Sequence, residues 1–253
     1  MQTNVTRALL AMGVVTALVG GMPAAATAID VSDVLQRMRQ ASFSGRDMRA
    51  NFTFDVVNAK GESVRWSGQY YRRNAPDERI RLVFDSPLDL RGTEVTVVGG
   101  KGDSRTRVYL PGLRRVREIG GDMRGESFFG TDFNYEDLGL QSLDFQQQAV
   151  SDAKDPEGRA AYRVESVPQT GWWYGRIVRW VDRKSFLPLR TEYYDRADVL
   201  WKVRTLDKVQ TIGSHPTATE ITMETVPTKT STRIVLTDVA YDSGLGDALF
   251  AEP

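Results

Sequence analysis

Apolar and polar residues alternate along most of this chain from residue 50 onward. Ala50, Phe52, Phe54 and Val56 alternate with Arg49, Asn51, Thr53 and Asp55. Val64, Trp66, Gly68 and Tyr70 alternate with Arg65, Ser67 and Gln69, and Ile80, Leu82 and Phe84 with Arg79, Arg81 and Val83. A period of two puts each set on one face of a strand. Val95 with Val97, Val108 to Leu110 and Val116 to Ile119 extend the series. The second half repeats it in Ala161 to Val167, Arg176 to Asp182, Leu189 to Tyr194, Leu200 to Leu206, Glu220 to Val226 and Thr232 to Val239. Lys60-Gly61, Asn74 to Asp77, Gly99 to Asp103, Asp155 to Gly158, Asp182 to Lys184 and Asp195 to Asp198 supply turns between them. About eleven strands at this spacing predict an antiparallel meander.

The exceptions to alternation matter as much. Val31, Val34, Leu35 and Met38 recur at the spacing of one helical face, with Asp30 or Ser32 as cap. Gly120 to Gln141 has no alternation, and its part from Asp132 to Leu138 reads as a short helix capped by Asp132. A long meander with one apolar face and few helices curls into a barrel or half-barrel, which either fills its interior or encloses a ligand cavity. With no linker or repeat, residues 29–253 read as one mainly β domain.

Before it, one positive charge at Arg7, an apolar run from Ala8 to Val19, a Gly20-Gly21-Met22-Pro23 break and Ala26-Thr27-Ala28 describe a secretory signal peptide over 1–28, cleaved after Ala28. That predicts export. Cysteine is absent, so no disulfide framework supports the exported domain and its stability rests on a buried core. The 33 basic and 33 acidic residues balance, which argues against a nucleic-acid partner.

Candidate chemistry is sparse. One histidine and no cysteine make a zinc site of nitrogen and sulfur ligands untenable. His215 sits in a Gly-Ser-His-Pro stretch that reads as a solvent-facing turn, and no Gly-x-Ser-x-Gly elbow accompanies it. Asp132, Glu136 and Asp137 lack the spacing of a calcium loop, and caps or ion pairs account for them equally. No catalytic residue, metal site or cofactor is expected. Two clusters stand out: Arg105, Arg107, Arg114, Arg115, Arg117 and Arg124, and the aromatic run Trp172-Trp173-Tyr174, which suits a rim or an interface.

The stretch Tyr109-Leu110-Pro111, a basic strand, and then Phe128-Phe129-Gly130-Thr131-Asp132-Phe133-Asn134-Tyr135-Glu136-Asp137 resembles the outer-membrane lipoprotein-sorting family of LolA-like periplasmic carriers. It is most similar to the branch associated with lipid exporters of the RND type. The resemblance implies a curved antiparallel half-barrel closed by a few covering helices, around an apolar cavity for lipid or lipoprotein acyl chains. On that reading Trp66, Tyr70, Ile80, Leu82, Phe84, Val95, Val97 and Tyr109 line the cavity, and Phe128, Phe129, Phe133, Tyr135 and Leu138 form a lid. Arg79, Arg81, Arg114, Arg115 and Arg117 are the candidates for headgroup or partner contact, Arg79 or Arg81 matching the family's cavity-mouth arginine. The expected function is a periplasmic acyl-chain carrier working beside an inner-membrane RND-type exporter. The alternatives are an accessory protein of such an exporter that binds no lipid, and an exported carboxylate-dependent hydrolase.

Overall fold

The computed structural model describes residues 30–74, 77–99, 105–138, 145–169 and 172–251. The predicted signal peptide, the turn residues Ala75 and Pro76, and the turn at 100–103 lie outside them. The chain folds as one open antiparallel sheet of thirteen strands, mainly β with few helices. The strands are β1 (Asp47–Val57), β2 (Ser63–Arg73), β3 (Arg79–Ser86), β4 (Glu94–Val98), β5 (Arg105–Leu110), β6 (Arg115–Ile119), β7 (Phe145–Lys154), β8 (Ala160–Pro168), β9 (Arg176–Asp182), β10 (Pro188–Tyr194), β11 (Leu200–Ile212), β12 (His215–Thr225) and β13 (Thr230–Tyr241).

Their order across the sheet is β6-β5-β4-β3-β2-β1-β13-β12-β11-β10-β9-β8-β7. Two meanders are thus joined by the pairing of β1 with β13, which closes the longest loop in the fold. The edge strands β6 and β7 are successive in sequence, so the segment between them leads from one edge to the other. The count exceeds the predicted figure of about eleven; each strand but β7 matches a predicted segment, and β7 escaped detection. Its sequence, FQQQAVSDAK, is too polar to show a face, and most of the strand is exposed.

Helix α1 (Val31–Ser42) starts where predicted: Asp30 caps it, accepting the backbone N–H of Ser32 at 2.9 Å. Val34 and Met38 pack against Val164 and Val181 of the second meander. At the other end Arg72 donates to the carbonyls of Ser42 (3.0 Å) and Ser44 (2.9 Å), so a β2 side chain caps the carbonyls where the helix ends.

The main core lies on the face that carries Phe52, Phe54, Trp66, Ile80, Leu82, Phe84, Val95, Val97 and Val108. Register explains its density. Phe52 pairs with Gly68, which pairs with Phe84. A Cβ on Gly68 would lie 2.6 Å from Phe52 and 2.1 Å from the Val83 carbonyl oxygen, so the two rings meet edge-on at 5.1 Å over the glycine.

Candidate functional site

The segment leaving β6 crosses this inner face. Its aromatic residues pack deeply: Phe128 is fully buried, 6.4 Å from Phe54 and 6.1 Å from Phe84, and Phe133 stands 6.4 Å from Phe54. Phe129, at a positive φ of 48°, packs against Phe128 with its ring tilted by 59°, and Tyr135 meets Phe128 edge-on. These residues form a strap packed into the core, not a loose cover.

Polar groups hold the strap at its centre. Both carboxylate oxygens of Asp132 are occupied: Oδ1 accepts from Thr225 (2.6 Å) and Thr230, and Oδ2 from Thr232 (2.8 Å). The buried Lys202 donates to the Asp132 carbonyl. Asp132 is therefore an anchor, and the predicted cap falls to another residue. Helix α2 (Tyr135–Leu138) is capped by Asn134, which accepts the N–H of Asp137 at 2.7 Å while the Asp137 carboxylate accepts that of Asn134 at 3.0 Å. This is a reciprocal capping box. Asn134 and Asp137 also engage the hydroxyl of Tyr174, whose proton is held far more tightly than usual by burial and the nearby Asp137. Glu136 lies 3.8 Å from Arg124, so Asp132, Glu136 and Asp137 serve three different sets of partners.

Between sheet, α1 and the end of the strap lies an apolar cavity of about 270 Å³. Phe52, Ile80, Leu82, Ile221 and Leu236 form the sheet wall, Met38 and Phe43 come from α1 and the turn after it, and Phe133 and Leu138 come from the strap. Of the predicted cavity residues, Tyr70, Ile80 and Leu82 are on this wall. Trp66, Phe84, Val95 and Val97 share the inner face but are sealed in the packed core. Tyr109 is on the other side of the sheet. Thr106 and Val108 are the buried residues of β5, so alternation turns Tyr109 outward, into a second hollow with Arg79, Arg105 and Phe250. Of the predicted lid, Phe133 and Leu138 reach the cavity, while Phe128, Phe129 and Tyr135 pack on the core.

The predicted arginines are elsewhere. Ile80 and Leu82 face inward, so Arg79 and Arg81 face outward. Arg79 pairs with Asp77 at 2.6 Å, and Arg81 with Glu94 at 2.7 Å while donating to the Leu249 carbonyl. Arg114 and Arg115 are exposed, and Arg117 stands 3.7 Å from Glu126 across exposed surface. The arginines that do line the cavity are Arg72, Arg179 and Arg204, with Arg39 at the helix end. Parity could have found two of them: Arg179 shares its face with Ile177 and Val181, and Arg204 with Leu206.

His215 is not in a turn. It opens β12, packs against Tyr241 with ring centroids 4.3 Å apart and sets its Nε2 3.4 Å from Asp242. Trp172 and Trp173 stack on each other at 5.3 Å and pack against the core. A Cβ on Gly125 would stand 2.7 Å from the Trp173 ring, so they clamp the start of the strap.

A family model described as an uncharacterized protein family matches residues 76–253. Among solved structures, a DUF1329 family protein from Desulfovibrio piger is 29% identical with a TM-score of 0.80, over 87% of this chain and 95% of that one. A domain described as an outer membrane lipoprotein-sorting protein, from Vibrio parahaemolyticus, is 25% identical with a TM-score of 0.77, over 86% and 94%. A LolA superfamily protein from Nitrosomonas europaea shares the fold, with a TM-score of 0.70 at 14% identity over 89% and 99%. No curated protein sequence matches the chain.

Proposed function

This chain belongs to the LolA-like family of outer-membrane lipoprotein-sorting proteins, and from that premise we propose that it is a periplasmic carrier of lipid or lipoprotein acyl chains. The observation that supports this most is the apolar cavity between sheet and helix α1. Its volume lies next to the ~300–1,000 Å³ of small-molecule sites. Each methylene kept from water is worth about 0.8 kcal/mol, so a sixteen-carbon chain left exposed costs on the order of 12 kcal/mol. A cavity removes that cost by binding alone, and the reading asks no catalysis of the chain. Export through residues 1–28, cleavage after Ala28, one working domain over 29–253 and delivery beside an inner-membrane RND-type exporter belong to the same proposal.

The test is to recover the protein from the periplasm, sequence its N-terminus and analyse an organic extract by mass spectrometry. A neutral pyrene-labelled acyl probe is then titrated into the stripped protein. A start at Ile29, acyl lipid in the extract and saturable binding are expected. Capture of an exporter by a protein that binds neither lipid nor probe would favour the accessory reading.

A further inference from the structure

Cavity walls made for an acyl chain have no need of charge, yet the second meander places two arginines in this one. Arg179 pairs in register with Thr191, and Thr191 with Arg204, so the three side chains form one row across β9, β10 and β11 on the inner face. Arg179 is 4% exposed. Its guanidinium donates to the Ser166 hydroxyl at 3.0 Å and lies 5.1 Å from the centre of the Phe145 ring. Arg204 reaches Thr191 only at 3.4 Å, and its Nε is buried with no hydrogen-bond partner. Neither arginine forms an ion pair among the described residues.

The other charges on the wall do not neutralise them. Arg39 is paired with Glu78, and Arg72 holds the carbonyls at the end of α1. Among the described residues, Asp137 is the one carboxylate lining the cavity. It is committed to Asn134 and Tyr174, and burial raises its pKa, although Lys202 and Arg204 nearby oppose that rise. Burial lowers the Arg179 pKa to about 10, with Arg204 adding to the effect, and the group remains a cation at neutral pH. A buried cation without a counter-charge is strongly unfavourable unless something else supplies the anion.

We propose that this end of the cavity is an anion site, and that the molecule carried is an amphiphile. Its carboxylate or phosphate headgroup sits on Arg179 and Arg204, and its tail lies toward Phe52, Ile80 and Leu82. Arginine suits this role because its planar donors pair with two oxygens at once. The inference rests on the carrier reading and adds the headgroup to it.

The experiment compares three ligands of one chain length on the stripped full-length mature protein: palmitate, hexadecyl phosphate and the neutral hexadecanol. The anionic ligands are expected to bind roughly ten- to a hundredfold more tightly than hexadecanol, the range of a few hydrogen bonds to a charged group. The ranking of palmitate against the phosphate ester identifies the headgroup. Arg179→Met should erase that preference while hexadecanol binding stays, and Arg204→Met should reduce it. The ligand-free Arg179→Met protein should melt no lower than the parent, because an uncompensated charge has been removed. A purely structural arginine would instead lower the melting temperature and leave the preference intact. Equal binding of hexadecanol and palmitate overturns the anion site and spares the carrier. Binding of none of the three overturns both.

Discussion

Asp132 and Thr232, a hundred residues apart, grip each other twice. The Thr232 hydroxyl donates to Asp132 Oδ2 at 2.8 Å and accepts the Asp132 backbone N–H at 3.0 Å. This pair ties the strap between the sheet's two edges to β13 at the middle of the sheet. Asp132→Ala strips acceptors from three threonine hydroxyls. Each hydrogen bond to a charged group is worth about 1.5–3 kcal/mol, so a loss of roughly 3 kcal/mol or more is expected in urea unfolding. Asp132→Asn should fall between parent and alanine variant.

Gly125 is the strap's point of contact with Trp173. A methyl group there enters space the indole occupies, 2.7 Å from ring atoms. Gly125→Ala should cost about 1–3 kcal/mol, as overpacking does. Tryptophan fluorescence should shift with it. An unchanged spectrum and an unchanged melt would show that the strap start is free to move away.

Leu82 and Phe84 occupy the same face of one strand, but only Leu82 borders the cavity. Leu82→Glu can direct its carboxylate into open space. It should fold at reduced stability and lose binding of the neutral acyl probe. Phe84→Glu buries an unpaired charge among Phe52, Phe54, Trp66 and Phe128 and should not fold. Thermal melts beside probe titration separate the two. Phe133→Glu, which touches both core and cavity, should be less stable than Leu82→Glu.

Asp137 makes stability depend on pH in an unusual direction. Burial raises its folded pKa above the ordinary 3.8, so the folded protein keeps the proton to higher pH than the unfolded chain does. Its contribution to stability therefore falls as pH rises from about 3.8 through the raised value. Asp137→Asn keeps the acceptor for the Asn134 N–H and removes the titration. That variant should gain stability relative to the parent across this window, as denaturant midpoints at several pH values will show.

His215→Ala removes a ring that packs on Tyr241, itself a cavity-lining residue, and lies beside Asp242. An exposed-partner pair of this kind is worth about 0–1 kcal/mol. Acyl-probe binding should persist, and its loss in a folded variant would reopen a functional role for this histidine.

Alternation in Ala50 to Val56, Val64 to Tyr70 and Ile80 to Phe84 was enough to define strands, their inward faces and the meander, because a period of two is a local property of the chain. Asp30 and the Val34–Met38 spacing defined α1 for the same reason. The motif from Phe128 to Asp137 marked the family. Its place in the fold was not legible. Whether Phe128 covers a cavity or fills a core depends on what Phe54 and Phe84 present to it from strands far away in sequence. Asp132 likewise reads as a helix cap until β12 and β13 bring three threonines to it. Nor could the chain alone reveal the charged end of the cavity. Arg179, Thr191 and Arg204 become neighbours only through the register of β9, β10 and β11, and register is set by pairing across the whole sheet. Local periodicity determined which residues face inward; long-range strand pairing decided which of them meet, and whether they meet around packed rings or around space.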